Sequence, residues 1–170
     1  MNREEGIGVE GGIEQGIILV NFHTSKTRSW QTDSRKCHVN WALADSDWEL
    51  EFCHLVEDNR HVISYVKNSG LGFEVPYHLG PENRIYLPDY FIFLDDGCGP
   101  ENPLHLINEV KSYRKEDAKA KRLTMENFWI PGVNCLGLYG RWAFAEFTEV
   151  FDIQEAFDGL VDRFVRREGE

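Results

Sequence analysis

Two strand-like stretches, Arg84 to Leu94 and Leu104 to Lys111, constrain the fold most, because each places acidic residues inside an otherwise apolar run. The first, Arg84-Ile85-Tyr86-Leu87-Pro88-Asp89-Tyr90-Phe91-Ile92-Phe93-Leu94, is rich in aromatic and branched residues and stops at the turn-like Asp95-Asp96-Gly97. Pro88 removes a ladder donor, which predicts an edge position or a local bulge where pairing stops and Asp89 can be aimed at a ligand. In the second stretch alternate residues share a face, so Glu109 and Lys111 point one way and Val110 the other, into the core. Brought side by side, the two strands would gather two carboxylates and one ammonium, a set suited to a hard divalent cation and a hydrolytic water.

The flanking pattern predicts one α/β domain, since 170 residues are enough to bury a core without staples. Residues 1–36 read as a leader. The first 16 carry five glycines and four glutamates, Ile17 to Phe22 is a strand or a sticky arm, and 23–36 read as loop. From 37 to 170 the pattern is a folded domain. Val39, Trp41 and Leu43 alternate with Asn40, Ala42 and Ala44 as in a half-buried strand. Ser46, three residues before Glu49, opens a helix with a capping box. Its apolar face comprises Trp48, Phe52, Leu55, Val56, Val62, Ile63 and Val66, with a break allowed at Asp58-Asn59 and an end at Gly70 and Gly72. Strands are expected at about 73–78, 84–94, 104–111 and 138–148, with a helix at about 115–129 ending before Pro131-Gly132. A last helix opens at Asp152 and shows Ile153, Ala156, Phe157, Leu160, Val161, Phe164 and Val165 at amphipathic spacing. The order is an α/β sandwich with a mixed sheet in the middle.

Pro88-Asp89 and Glu109-Val110-Lys111 are also the pattern that names the PD-(D/E)xK nuclease superfamily, and the chain resembles it over roughly residues 37 to 150. Asp45-Ser46-Asp47-Trp48-Glu49, Tyr65-Val66-Lys67-Asn68, Gly72-Phe73-Glu74-Val75-Pro76-Tyr77, Tyr86-Leu87-Pro88-Asp89-Tyr90, Glu109-Val110-Lys111, Trp129 to Asn134 and Gly140-Arg141-Trp142 follow one another. In that order they are similar to the carboxy-terminal endonuclease domain of type III restriction enzyme subunits. The resemblance implies a restriction-endonuclease-like αβββαβ core and Mg²⁺-dependent cleavage of double-stranded DNA, with Mn²⁺ able to substitute, in restriction or another defence role. It implies Asp89 and Glu109 as metal ligands, joined by the backbone carbonyl of Val110, and Lys111 as a positive charge beside the attacking water. A third acidic ligand is expected from the first helix. Glu49 is the first choice, Glu51 the substitute and Glu57 a more distant candidate. No base-reading module is visible, so target choice would belong to a methyltransferase or specificity subunit, or to a helicase motor; the chain has no Gly-x-x-x-x-Gly-Lys-Ser/Thr loop of its own.

A net charge of −11 argues against a protein that coats nucleic acid through long-range attraction. Binding would be local, and six of the 18 basic residues fall together as Lys111, Arg114, Lys115, Lys119, Lys121 and Arg122. Lys121 could reach a phosphate backbone, while Trp129, Trp142 and Phe144 read as core. Cys37, Cys53, Cys98 and Cys135 are widely spaced and read as reduced thiols of a cytoplasmic protein; Cys37-His38 and Cys53-His54 lack the usual zinc-ligand spacing. No apolar run approaches the roughly 20 residues needed to span a bilayer, so a membrane is not an expected partner.

Overall fold

The computed structural model describes residues 10–14, 17–21, 28–44, 46–99, 101–110, 117–147 and 153–167. Upstream, β1 (Glu10–Glu14) and β2 (Ile17–Asn21) pair antiparallel as a hairpin, so part of the expected leader is strand. A second small pair joins β3 (Ser29–Gln31) to β4 (Trp41–Leu43), within and just beyond the stretch read as loop. At β4 the buried face is the reverse of the expected one. Ala42 and Ala44 are buried and Trp41 is 37% exposed.

The first helix, α1 (Asp47–Asp58), starts where the capping box predicts, with Ser46 Oγ accepting from Glu49 N at 3.2 Å. It stops at the earlier of its two expected limits, short of Gly70. Asn59 is extended, donates its N–H to Leu55 O at 3.1 Å, and accepts His61 N on its side chain at 2.9 Å. The branched run that follows is β5 (Val62–Lys67), a strand rather than more helix. The stretch 84–94 also divides. β6 (Val75–Leu79) and β7 (Glu82–Tyr86) form a separate hairpin, pairing stops at Leu87-Pro88-Asp89, and β8 (Tyr90–Leu94) enters the main sheet. Pro88 therefore marks a break between two sheets and not an edge, since β8 is internal.

The main sheet has the order β10–β9–β8–β5, with β9 (Leu104–Val110) and β10 (Arg141–Phe147) parallel and the other two pairings antiparallel. A parallel pair needs a crossover. Here it contains α2 (Ala118–Thr124), a π-helical turn (Met125–Trp129) and α3 (Ile130–Leu136). The expected stop before Pro131 is overturned. The π turn, in which Ile130 N bonds Met125 O, widens the helix just before Pro131, whose ring would otherwise meet the carbonyl four residues back. The helix then ends at Gly137, whose φ of 62° is the left-handed cap that glycine supplies.

Each face of the sheet carries its own core. On one side Phe52, Leu55 and Val56 of α1 and Phe157, Leu160 and Val161 of α4 (Ile153–Arg167) cover Tyr65, Tyr90, Ile92, Leu106 and Phe147. On the other, Val75, Tyr77 and Tyr86 of the β6–β7 hairpin meet Ile107 and Met125, with Trp129, Trp142 and Phe144 half-buried against them. A fully buried Phe or Leu contributes roughly 1.5–3 kcal/mol, so both layers are substantial. β9 is covered on both sides, which is why six of its seven residues are buried. The chain is a mixed α/β protein, as the sequence pattern implies.

Candidate functional site

The β8–β9 ladder decides where the predicted acids stand. Tyr90 faces Asn108, Phe91 faces Ile107 and Ile92 faces Leu106; Asp89 and Glu109 are the residues just beyond the last of these pairs. Alternation along β9 puts Glu109 on the face of Ile107 and Tyr86. The side chain of Asp89 turns back onto the neighbouring strand, where its Oδ2 accepts the Val110 N–H at 2.9 Å. Its main chain is pinned from the other side by Asn68 N, which donates to Asp89 O at 2.8 Å. Pro88, itself without an N–H, is what frees this residue from the ladder.

Glu109 is 6% exposed and its Oε2 accepts the hydroxyl of buried Tyr86. Burial first, then the charge of Glu109, lifts the Asp89 carboxyl from 3.8 to about 7; the Val110 N–H opposes this, Glu49 adds to it and Lys67 opposes it. Tyr86 is likewise pushed up, by burial and then by Glu109, with smaller contributions from Asp89 and Glu146. One end of the sheet thus concentrates negative charge in a poorly solvated place.

Glu49 reaches the same end from α1. It is 8% exposed, and its Oε2 pairs with Lys67 Nζ, which also donates to Leu43 O at 2.6 Å. Lys67 is opposite Tyr90 in the β5–β8 register, and Tyr90 in turn donates to Glu49 O at 3.4 Å. Glu51 is exposed on the outer side of the helix. Glu57 is committed elsewhere: it accepts Trp30 Nε1 at 3.0 Å, Asp33 N at 2.8 Å and Tyr65 OH at 2.7 Å, tying the β3 loop to α1 and β5. Of the three helix candidates, Glu49 is therefore the one brought to Asp89.

Lys111, Arg114 and Lys115 lie outside the described residues. Lys121 does not stand out toward solvent. Its Nζ is 3.2 Å from Asp117, lies 5.3 Å above the Tyr86 ring and 5.7 Å above the Tyr77 ring, and Tyr77 OH donates to the same Asp117 carboxylate at 2.7 Å. The amine thereby stiffens the layer behind Tyr86 and Glu109. Trp129 and Trp142 pack edge to face at 5.3 Å, as core residues do. His54 stacks on Trp30 at 3.7 Å, and Cys37 and Cys53 are buried free thiols whose ionisation burial opposes.

Three contributors are not singled out by the sequence. Lys67 belongs to one of the resembling fragments but has no role attached there. Tyr86 stands three residues before Asp89. Glu146 comes level with Glu109 through the parallel β9–β10 register. Alternation along β10 could have placed Glu146 on one face with Phe144, but only the crossover brings it beside Glu109. Among the described residues, no group of three or more His, Cys, Asp or Glu side chains is close enough to hold a metal ion. None of their helices is long and apolar enough to cross a membrane. Comparison with known protein families, curated proteins and solved structures returned no match.

Proposed function

We propose that this protein is a Mg²⁺-dependent nuclease that hydrolyses DNA phosphodiester bonds at the Asp89–Glu109 end of its sheet. The observation that supports the reading is the end of the β8–β9 ladder, where Asp89 and Glu109 follow the last pair and Val110 N bonds Asp89. The order α1, β5, β8, β9, α2, β10 supports the finer fold assignment, a restriction-endonuclease-like core in which the β6–β7 hairpin is an insertion between the first two strands.

The donor set suits such an ion. Mg²⁺ needs only one or two protein carboxylates and keeps several waters, so three clustered acids are not required. Burial and the neighbouring Glu109 raise the proton affinity of Asp89, and a divalent cation bound there would favour its charged form. When bound, Mg²⁺ acidifies a water, polarises a phosphate oxygen and stabilises the leaving oxygen. The chain's own residues do the placing. Asp89 and Glu109 would hold the ion, with the Val110 carbonyl at the end of β9 as a further oxygen. Val110 N–H and Tyr86 OH each fix one carboxylate oxygen, which sets the rotamers of Asp89 and Glu109. Lys67 pairs with Glu49 beside them. Lys111, two residues beyond Glu109, is assigned to orient the attacking water and offset charge on the phosphate.

A specific observation favours a second reading, a nuclease-fold interaction domain without catalysis. Each carboxylate already has a protein donor: Val110 N on Asp89, Tyr86 on Glu109 and Lys67 on Glu49. Supercoiled plasmid incubated with Mg²⁺ or Mn²⁺ separates the two. Nicking by the native protein that disappears in Asp89→Ala and Lys111→Ala supports the nuclease; equal nicking by all three proteins refutes it. Competition between DNA and RNA substrates tests the nucleic acid, and co-purification with a methyltransferase, specificity subunit or helicase motor tests the restriction role and its partners.

A further inference from the structure

Beside the acidic end of the sheet lies a cleft of about 760 Å³ that runs along β10 between α2 and α4. β10 ends the four-strand order, and consecutive residues from Phe144 to Phe147 line the cleft, so it follows the outer edge of the sheet. Its two walls carry cations from separate parts of the chain, Lys119 and Arg122 on α2 and Arg163 on α4. The sequence clusters only the first two. Arg122 pairs with Glu126 at 2.9 Å, and Arg163 Nε donates to Gly159 O at 3.2 Å, which holds each head group over the cleft wall. Half-buried Phe144 and Phe164 line the cleft among these charged groups, and Glu146 marks the end level with Glu109.

We infer that this cleft seats a single polynucleotide strand on its way to the Asp89–Glu109 site. Charged walls match phosphates and an aromatic floor matches base faces, the combination by which single strands are held without base-specific recognition. A cleft of this volume is the size of a small-ligand pocket, roughly 300–1,000 Å³, large enough to admit unpaired bases. Three cations face the two acids Glu126 and Glu146, a local positive surplus on a chain whose net charge is −11. The inference rests on the nuclease reading and deepens it: the substrate at the point of cleavage is an unpaired strand, not intact double helix.

The experiment uses the full chain in EDTA, so that binding is read without turnover, with a fluorescein-labelled oligothymidylate and a hairpin duplex of equal length as probes for anisotropy. The oligothymidylate is expected to bind at least about tenfold more tightly than the duplex. Lys119→Glu combined with Arg163→Glu, both at exposed positions, is expected to weaken that binding by roughly tenfold or more. The same pair should lower the salt slope by about 0.7 for each phosphate that is no longer neutralised. Unchanged thermal unfolding of the variant excludes misfolding as the cause. Equal affinity for the two probes, or a variant that binds the oligothymidylate as the native chain does, overturns the inference. So does a native dimer that the same substitutions dissolve, which would assign the β10 edge to a second copy. Metal-dependent cutting by the native chain but not by Asp89→Asn is scored separately. If it is present while the cleft variant binds normally, the cleft fails and the nuclease stands; if it is absent while the variant binds poorly, the reverse holds.

Discussion

Replacing Asp89 by Asn should stabilise the cation-free protein, and by an amount that depends on pH. Burial and the charge of Glu109 raise the folded-state value of Asp89 from 3.8 to about 7. A carboxyl raised on folding holds its proton in the native state where the unfolded chain has released it. Its contribution to stability is therefore complete below about pH 4, declines as pH rises, and is fully lost above about pH 7. Converted at about 1.4 kcal/mol per tenfold change in proton affinity, the loss is on the order of 4–5 kcal/mol. Asn carries no charge and its amide oxygen can still accept the Val110 N–H, so the variant keeps the hydrogen bond and sheds the repulsion. Urea unfolding in EDTA from about pH 4.5 to about pH 8.5 is the assay, a range that brackets the folded-state value. The Asn variant should gain on the native chain steadily across that range, with most of the difference in place at about pH 8. Saturating Mg²⁺ should close the gap by stabilising only the native chain. A variant that is no more stable at the alkaline end, or a difference that does not change with pH, would refute the reasoning.

Lys67→Met strands Glu49 in a setting where both side chains are 11% exposed, and should cost about 3 kcal/mol or more; adding Glu49→Leu should recover most of it, and equal stability of all three proteins in urea would contradict the pairing. Glu57→Ala removes the acceptor of three hydrogen bonds, from Trp30, Asp33 and Tyr65, at about 1 kcal/mol each, so a loss near 3 kcal/mol with a red shift in tryptophan emission is expected. Gly140→Ala meets two obstacles. Its φ is +79° and the added Cβ would lie 2.8 Å from His105 Cε1, so a loss of at least about 1–2 kcal/mol should appear in thermal unfolding, and an unchanged midpoint would count against this packing.

How much of this is readable in the sequence varies by element. β9 is visible because its branched run is buried on both faces, β8 because it is a run of aromatic and branched residues, and α1 declares its start through Ser46 and Glu49. β5 is hidden because apolar residues at 62, 63, 65 and 66 fit a helical stripe as well as a strand, and only pairing with β8 decides between them. Lys67 is hidden with it, since as a helix residue it has no reason to meet Glu49. α3 is masked by Pro131, because no local signal announces the π turn that accommodates it. Trp41 misleads through size: a large apolar residue reads as buried, yet the buried members of that stretch are its alanines. Glu109 can be found because a strand fixes which way its side chains point, and Asp89 because Pro88 announces where pairing stops; Glu146 and Arg163 join them only through the fold's crossover and last helix.

The account turns on one ion held between Asp89 and Glu109. A crystal soaked in Mn²⁺ tests this most directly, read by anomalous scattering. The expected result is a single peak at coordination distance, about 2.1 Å, from a carboxylate oxygen of each acid. A peak bound to only one of them, or none at saturating Mn²⁺, would contradict it.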